Sequence, residues 1–205
     1  MNPLQSVKGA ITTAFVLAVV VSLALTLTAV APAMDAGDHA LRLDRWLHIV
    51  SGVMWIGLLY YFNVVQTPGL AVAAADKGGP GGAGVTKYIA PRALLWFRWA
   101  AVATWVTGAV YLLFGYGSAA TIHKAFTLQV GFRTIGVGAW LGTVMLFNVW
   151  VFIWPNQNKI LGIVAATDEE KAAARKTAGL ASRINFVLSV PMLMCMGGQF
   201  HGLPF

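Results

Sequence analysis

Five long runs of apolar residues, separated by shorter polar segments, dominate the pattern of the chain. Each run holds roughly 20 residues with few charges, the length that a helix needs to cross the hydrocarbon core of a bilayer. The runs lie at residues 10–31, 43–66, 92–114, 130–154 and 181–202. They are far too long for the strands of a membrane barrel, so the pattern predicts an all-α bundle of about five transmembrane helices.

The segments at the ends of the runs predict how the bundle is divided. Four prolines stand at the edges of runs, where proline commonly marks a helix boundary: Pro32, Pro68, Pro91 and Pro155. Residues 76–85 are rich in glycine and predict a flexible loop, whereas residues 168–175 predict a short, charged surface helix. The first run is longer than a signal-peptide core of about 7–15 residues, so we expect a retained helix. Without an internal repeat, we expect one domain over residues 1–205.

Composition agrees with a membrane protein and argues against a nucleic-acid-binding one. The chain is 58% hydrophobic and 10% charged, whereas a soluble domain usually carries about 25% charged residues. The net charge of +7 comes from basic residues spread over the loops rather than gathered on one face. With a cytoplasmic N-terminus, ten of the 14 Lys and Arg residues fall on the cytoplasmic side, and the positive-inside rule then predicts an N-in, C-out topology. The four on the outer side are Arg42, Arg45, Lys124 and Arg133.

The predicted topology puts all four histidines on the outer side of the membrane. His48 lies inside an apolar run, where an ionisable residue is costly and usually functional. Because imidazole is a common ligand of haem iron, we predict that His48 is an axial ligand of haem b, with His201 or His123 as the second. The plainer interpretation is a solvated loop residue for His39 and His123, and an interfacial residue for His201. The single cysteine, Cys195, excludes the CxxCH attachment of a c-type haem.

Small residues near the histidine add a second indication. Gly52 and Gly57 follow His48 at spacings that let a flat macrocycle or a neighbouring helix approach closely. Gly138 and Gly142 form a GxxxG pair in the fourth run, and helix packing alone is sufficient to explain that pair.

A second group of polar residues that are energetically costly inside a membrane lies toward the predicted cytoplasmic side. The group comes from four different runs, and its candidate substrate-binding members are Asn63, Arg98, Asn148, Arg183 and Asn185; the others are Gln66, Asn156 and Gln157. An arginine inside a span should face a partner or a wet cavity, and amides around its guanidinium could bind a planar anionic substrate. Alternatively, Arg98 simply extends to the membrane interface. Arg133, on the outer side, is a candidate partner for a haem propionate.

Several ordered blocks of sequence carry a family resemblance. The longest extends from Trp46 to Asn63 and continues in Gln66-Thr67-Pro68. The others are Trp96-Phe97-Arg98-Trp99, Asn148-Val149-Trp150, Trp154-Pro155-Asn156-Gln157, Ser182-Arg183-Ile184-Asn185 and Leu188-Ser189-Val190-Pro191-Met192-Leu193. Together they resemble the membrane domain of bacterial membrane-bound urate oxidases (urate hydroxylases).

The resemblance implies redox chemistry in a membrane. In that family a cytochrome c domain follows the membrane domain, and the pair is understood to oxidise urate toward 5-hydroxyisourate and to pass electrons to cytochrome c. Because this sequence reaches Phe205 without a CxxCH motif, we expect a short form that lacks the cytochrome c domain. A more distant resemblance, to copper-resistance membrane domains and to the haem-containing protoporphyrinogen oxidase of bacteria, also implies a haem contact at His48.

Three functions follow as hypotheses for a multi-pass protein of the bacterial inner membrane. The first is a haem b protein that transfers electrons to a periplasmic cytochrome c. The second is a urate-type oxidoreductase that uses a separate cytochrome c. The third is a non-redox accessory subunit of a larger membrane complex. The sequence leaves open whether the protein is an enzyme, and whether the haem ligands come from one chain or from two protomers of a homo-oligomer.

Overall fold

The computed structural model describes residues 3–28 and 36–204, and the regular structure within them is helical. A short 3₁₀ turn at Pro3–Gln5 precedes six helices: α1 (Val7–Thr28), α2 (Ala36–Ala75), α3 (Val85–Phe114), α4 (Ala120–Phe126), α5 (Arg133–Ile160) and α6 (Asp168–His201). All but α4 are long and apolar enough to cross a membrane, which confirms the predicted all-α fold and indicates a multi-pass membrane protein. Pro32 and the predicted end of the first run, residues 29–31, lie outside the described residues.

The chain divides into two compact units, residues 1–39 and residues 40–205. The first unit contains α1, a helix of 22 residues that includes one charged side chain, Lys8. The second unit contains most of α2 and all of α3 to α6, and it holds both the core and the site described below.

Three of the long helices contain a proline that stands at the edge of an apolar run, where we expected a helix boundary. A π-helical turn comes just before each of these prolines: Tyr61–Gln66 before Pro68, Val85–Ile89 before Pro91, and Asn148–Ile153 before Pro155. Proline has no N–H to donate, and its ring crowds the carbonyl group four residues earlier. The wider π turn takes up one extra residue at that point, so the helix continues. The expectation that these prolines mark the boundaries of the helices is therefore wrong.

The last helix begins earlier than its apolar run suggests. The Thr167 hydroxyl accepts a hydrogen bond from the Glu170 N–H (3.2 Å), and the Glu170 carboxylate accepts one from the Thr167 N–H (2.8 Å). This capping box satisfies two N–H groups at the helix end. From there α6 continues for 34 residues, about 50 Å at the usual rise per residue. The segment 168–175, predicted as a separate surface helix, is thus the first two turns of α6.

The core of the second unit lies where α2, α3, α5 and α6 meet. Its fully buried large side chains include Trp55, Leu59, Phe97, Met145 and Val149, from three of these helices. Gly138 lets α5 and α6 approach closely, because a β-carbon there would lie 3.2 Å from the Cβ of Cys195. The packing explanation of the glycine pair in the fourth run is therefore correct for its first member.

Candidate cofactor cavity

A cavity of about 490 Å³ lies among helices α2, α3, α5 and α6, with one side chain contributed by α4. Its volume falls in the range of about 300–1,000 Å³ that small-molecule and cofactor sites commonly have. Most of its wall is apolar. The larger apolar side chains on the wall include Trp55, Trp105, Leu112, Phe126, Ile135, Met192, Leu193, Met196 and Phe200. The small residues on the wall are Gly108, Ala109, Ala139, Gly142 and Gly197.

His48 is one of the few polar residues on this wall, and a hydrogen bond fixes its ring. Its Nδ1 lies 2.8 Å from the carbonyl oxygen of Thr104 on α3. Because a carbonyl oxygen can only accept, Nδ1 carries the proton and donates it. The neutral ring then keeps a lone pair on Nε2, and this atom has no hydrogen-bond partner among the described residues. His48 thus has the tautomer and the fixed orientation that a metal-binding imidazole needs.

Two glycines shape the cavity around this ring. A β-carbon at Gly108 would lie 2.8 Å from the Cε1 of His48, so only glycine leaves room for the imidazole. Gly142 is buried and borders the cavity, yet a β-carbon there would meet no atom within 4 Å. The second member of the glycine pair therefore faces open space rather than a neighbouring helix.

The other histidines differ in their relation to the cavity. His201, the last residue of α6, is exposed and borders the same cavity as His48. His123 is exposed on the short helix α4 and is not among the residues that border the cavity. His39 is exposed near the start of α2 and is also not among the residues that border the cavity. The structure thus brings together two of the three histidines predicted as haem ligands.

Three further residues with charged or phenolic side chains border the cavity and were not predicted as site residues: Arg45, Tyr111 and Tyr116. Tyr116 stacks on the ring of Phe200, with 5.7 Å between ring centroids, and burial raises its pKa to about 12. The position of Arg45 could have been found from the sequence, since it precedes His48 by three residues and therefore shares its helix face. Arg133, the predicted partner of a propionate, instead donates a hydrogen bond to the Leu128 carbonyl at 3.3 Å and does not border the cavity.

Arg98, the centre of the predicted substrate site, is half-buried and stacks on Trp154. Its guanidinium carbon lies 3.5 Å from the centroid of the Trp154 ring, which is a cation–π contact. Its Nε and Nη1 are buried and make no hydrogen bond to the described residues. Two donors of this arginine are thus held inside the protein without an acceptor.

The predicted amide partners of Arg98 bond to other groups. The Asn148 amide donates to the Oδ1 of Asn185, and the Asn185 amide donates to the Met145 carbonyl, both at 2.9 Å. Asn63 donates to the Ser182 hydroxyl and to the Leu59 carbonyl, also at 2.9 Å. Arg183 is exposed, two residues before the fully buried Asn185 on α6. The amides therefore join helices to one another, which the sequence did not predict.

The fold and the cavity define a multi-pass helical membrane protein with an internal, largely apolar cavity bordered by two histidines. Residues 117–205, which include α4, α5 and α6, match the family model described as urate oxidase N-terminal. The family resemblance is therefore confirmed over this part of the chain. His123, Asn148, Arg183, Asn185 and His201 lie inside the match, whereas His48, Asn63 and Arg98 precede it. No curated protein and no solved structure matches the chain.

Proposed function

We propose that this protein binds haem b in the cavity and transfers electrons within the membrane. The observation that carries the proposal is that His48 and His201, from α2 and α6, border one apolar cavity. Helical bundles commonly build cofactor sites from side chains on facing helices. When bound, haem iron supplies a one-electron redox couple.

The residues around the cavity fit a porphyrin. His48 would hold the iron through Nε2, because Nδ1 is committed to the Thr104 carbonyl. The glycines and alanines of the wall leave room for a flat molecule, and Gly142 borders open space where a side chain would otherwise stand. His201 is the better supported second ligand, since His123 does not border the cavity.

We also propose an N-in, C-out orientation in the bacterial inner membrane. The distribution of basic residues, ten of 14 on the cytoplasmic side, supports this orientation. The end of the cavity next to His201 would then face outward, and electrons would leave there for a periplasmic cytochrome c or a larger membrane complex. A reporter fused after Phe205 that is active only in the periplasm tests the orientation.

The proposal is tested by the optical spectrum of protein purified from cells supplied with haem. We expect a Soret band and an α-band that change on reduction, with haem stoichiometric to the chain. His48→Ala should lose these bands, whereas His123→Ala, at an exposed histidine that does not border the cavity, should keep them. A wild-type protein without a reducible spectrum would refute the proposal, and its co-purification with a larger complex would favour an accessory subunit.

A second candidate function is urate oxidation with a separate cytochrome c. The match to the urate oxidase N-terminal family model favours it, and so do the two unpartnered donors of Arg98, which suit an acceptor on a bound substrate. The hydrogen bonds of Asn148 and Asn185 count against these amides as substrate ligands, because their bonding capacity is used between helices.

Urate consumption by membranes that contain the protein and a cytochrome c tests this candidate. We expect Arg98→Gln to abolish the consumption, and Arg92→Gln, a change at an exposed arginine outside the candidate substrate group, to serve as the matched control. Equal rates in the wild type and in Arg98→Gln would remove Arg98 from any substrate site.

A further inference from the structure

The ionisable groups of the cavity wall lie at one end of it. The residues with charged, phenolic or imidazole groups on its wall are Arg45, His48, Tyr111, Tyr116 and His201. Tyr111 and His201 lie in the last turns of α3 and α6, and Tyr116 follows α3. Trp55 lies ten residues after Arg45 on α2, about 15 Å away along the helix, and near it the wall is formed by apolar side chains such as Met192. The lining of the cavity thus extends about 15 Å along α2, with its ionisable groups at the end next to Arg45 and His201, called here the outer end, and none near Trp55.

Arg45 is the only member of this polar group with a permanent positive charge. It lies three residues before His48, so both side chains project from the same face of α2. In the part of the chain that the structure describes, no carboxylate lies within ion-pair distance of its guanidinium, not even the adjacent Asp44. A guanidinium at the edge of an apolar cavity is well suited to a carboxylate, which it can bind through two parallel hydrogen bonds.

We propose that Arg45 binds a carboxylate of the molecule that occupies the cavity. The ligand class is an apolar body that fills the space toward Trp55, with an acidic group at the outer end. If the proposed function is correct, the acidic groups are the haem propionates, and Arg45 sets the orientation of the porphyrin. A fatty acid has the same chemistry, so the test includes one.

The test compares two ligands that differ only in their carboxylates, haem and its dimethyl ester. We expect the wild type to bind haem about tenfold more tightly than the ester, or better, because a charge-assisted hydrogen bond contributes more than a neutral one. In Arg45→Gln this ratio should fall close to one, while affinity for the ester changes little. Arg42→Gln removes a nearby exposed arginine that does not border the cavity and should leave the ratio unchanged.

A further variant and a further ligand complete the test. Arg45→Lys retains the charge and should restore part of the preference for haem, which separates loss of charge from loss of folding. If neither porphyrin binds, displacement of a fluorescent fatty acid is measured in the same variants. Displacement that depends on Arg45 would refute the haem proposal and support the carboxylate site.

The inference is overturned by any of three results. The first is a haem-to-ester ratio that is the same in the wild type and in Arg45→Gln. The second is an equal loss of affinity for both porphyrins in that variant, which would indicate a structural role. The third is an absence of both porphyrin binding and fatty acid binding in the wild type.

Discussion

Gly108 of α3 lies directly against the imidazole of His48 on α2. A β-carbon at position 108 would lie 2.8 Å from Cε1 and 3.1 Å from Nδ1 of the ring. The ring is at the same time held by the Thr104 carbonyl, one turn earlier on α3. One turn of α3 therefore supplies both the hydrogen bond that orients the imidazole and the space that it occupies.

Gly108→Ala should displace the His48 ring and weaken haem binding by about 10- to 100-fold, the usual effect of losing a group that orients a metal ligand. Stability is a poor measure here, because alanine favours the helix over glycine by about 1 kcal/mol and offsets part of the clash. Haem affinity from optical titration is the better measurement. Gly57→Ala is the control, since a β-carbon there meets no atom within 4 Å. Normal haem affinity in Gly108→Ala would contradict the assignment of His48 as a ligand.

The leucine side chain in Gly142→Leu should occupy part of the cavity. The new side chain enters open apolar space, so we expect the haem-free protein to gain about 1–2 kcal/mol in stability. The same change should lower the haem content of the purified protein several-fold. Gly57→Leu, at an exposed position on α2, provides the control for adding a leucine to a helix. Full haem content in Gly142→Leu would mean that the haem lies elsewhere.

The sequence predicted the membrane fold well because length and apolarity alone decide whether a helix can span a bilayer. It predicted the ends of the helices poorly. The π turn before Pro155, for example, depends on how α5 relieves the crowding around the proline ring, and apolar periodicity carries no signal for it. The sequence contains the Thr-x-x-Glu pattern of a capping box at Thr167, which marks the start of α6. Because residues 168–175 were predicted as a separate surface helix, the pattern was not recognised as the start of the last long helix.

The candidate site was predictable in part for a similar reason. An ionisable residue in an apolar run stands out in any sequence, which is how His48 was found. Arg45 was counted only as a charge on the outer side. Its spacing from His48 shows that the two share a helix face, but not that Arg45 shares a cavity with His201. The amides of Asn148 and Asn185 look equally suited to bind a substrate or each other until their helices are placed together.

Ionisation of Tyr116 should destabilise the folded protein at alkaline pH. Its pKa is raised by burial to about 12, above the usual value of 10.0, so the folded protein holds this proton more tightly than the unfolded chain does. Stability from this group is complete below the unfolded pKa and is lost as the pH rises toward the folded one. Tyr116→Phe should therefore reduce the fall in the thermal midpoint between these two pH values. Tyr88→Phe changes an exposed tyrosine and should show the same drop in thermal midpoint as the wild type. A drop in Tyr116→Phe equal to that of the wild type would contradict the prediction.

The bond between Asn148 and Asn185 leads to a prediction that separates packing from substrate binding. Asn185 is fully buried, and it links α6 to both Asn148 and the Met145 carbonyl of α5. Asn185→Leu leaves the buried Asn148 amide without its acceptor, at a cost of about 1–3 kcal/mol. Hydrogen bonds between membrane helices average about 0.6 kcal/mol, so a value near the lower end is expected.

The double variant Asn148→Leu/Asn185→Leu should be less destabilised than Asn185→Leu alone, because replacing both partners leaves no unpaired polar group. Asn156→Leu is the control: its amide bonds to the Phe152 carbonyl one turn earlier on the same helix, so its loss should cost less than about 0.5 kcal/mol. Thermal unfolding in detergent measures these three variants and the single variant Asn148→Leu, which completes the comparison. A double variant with the summed cost of the two single changes would show that the amides act independently, and would reopen a ligand-binding role for them.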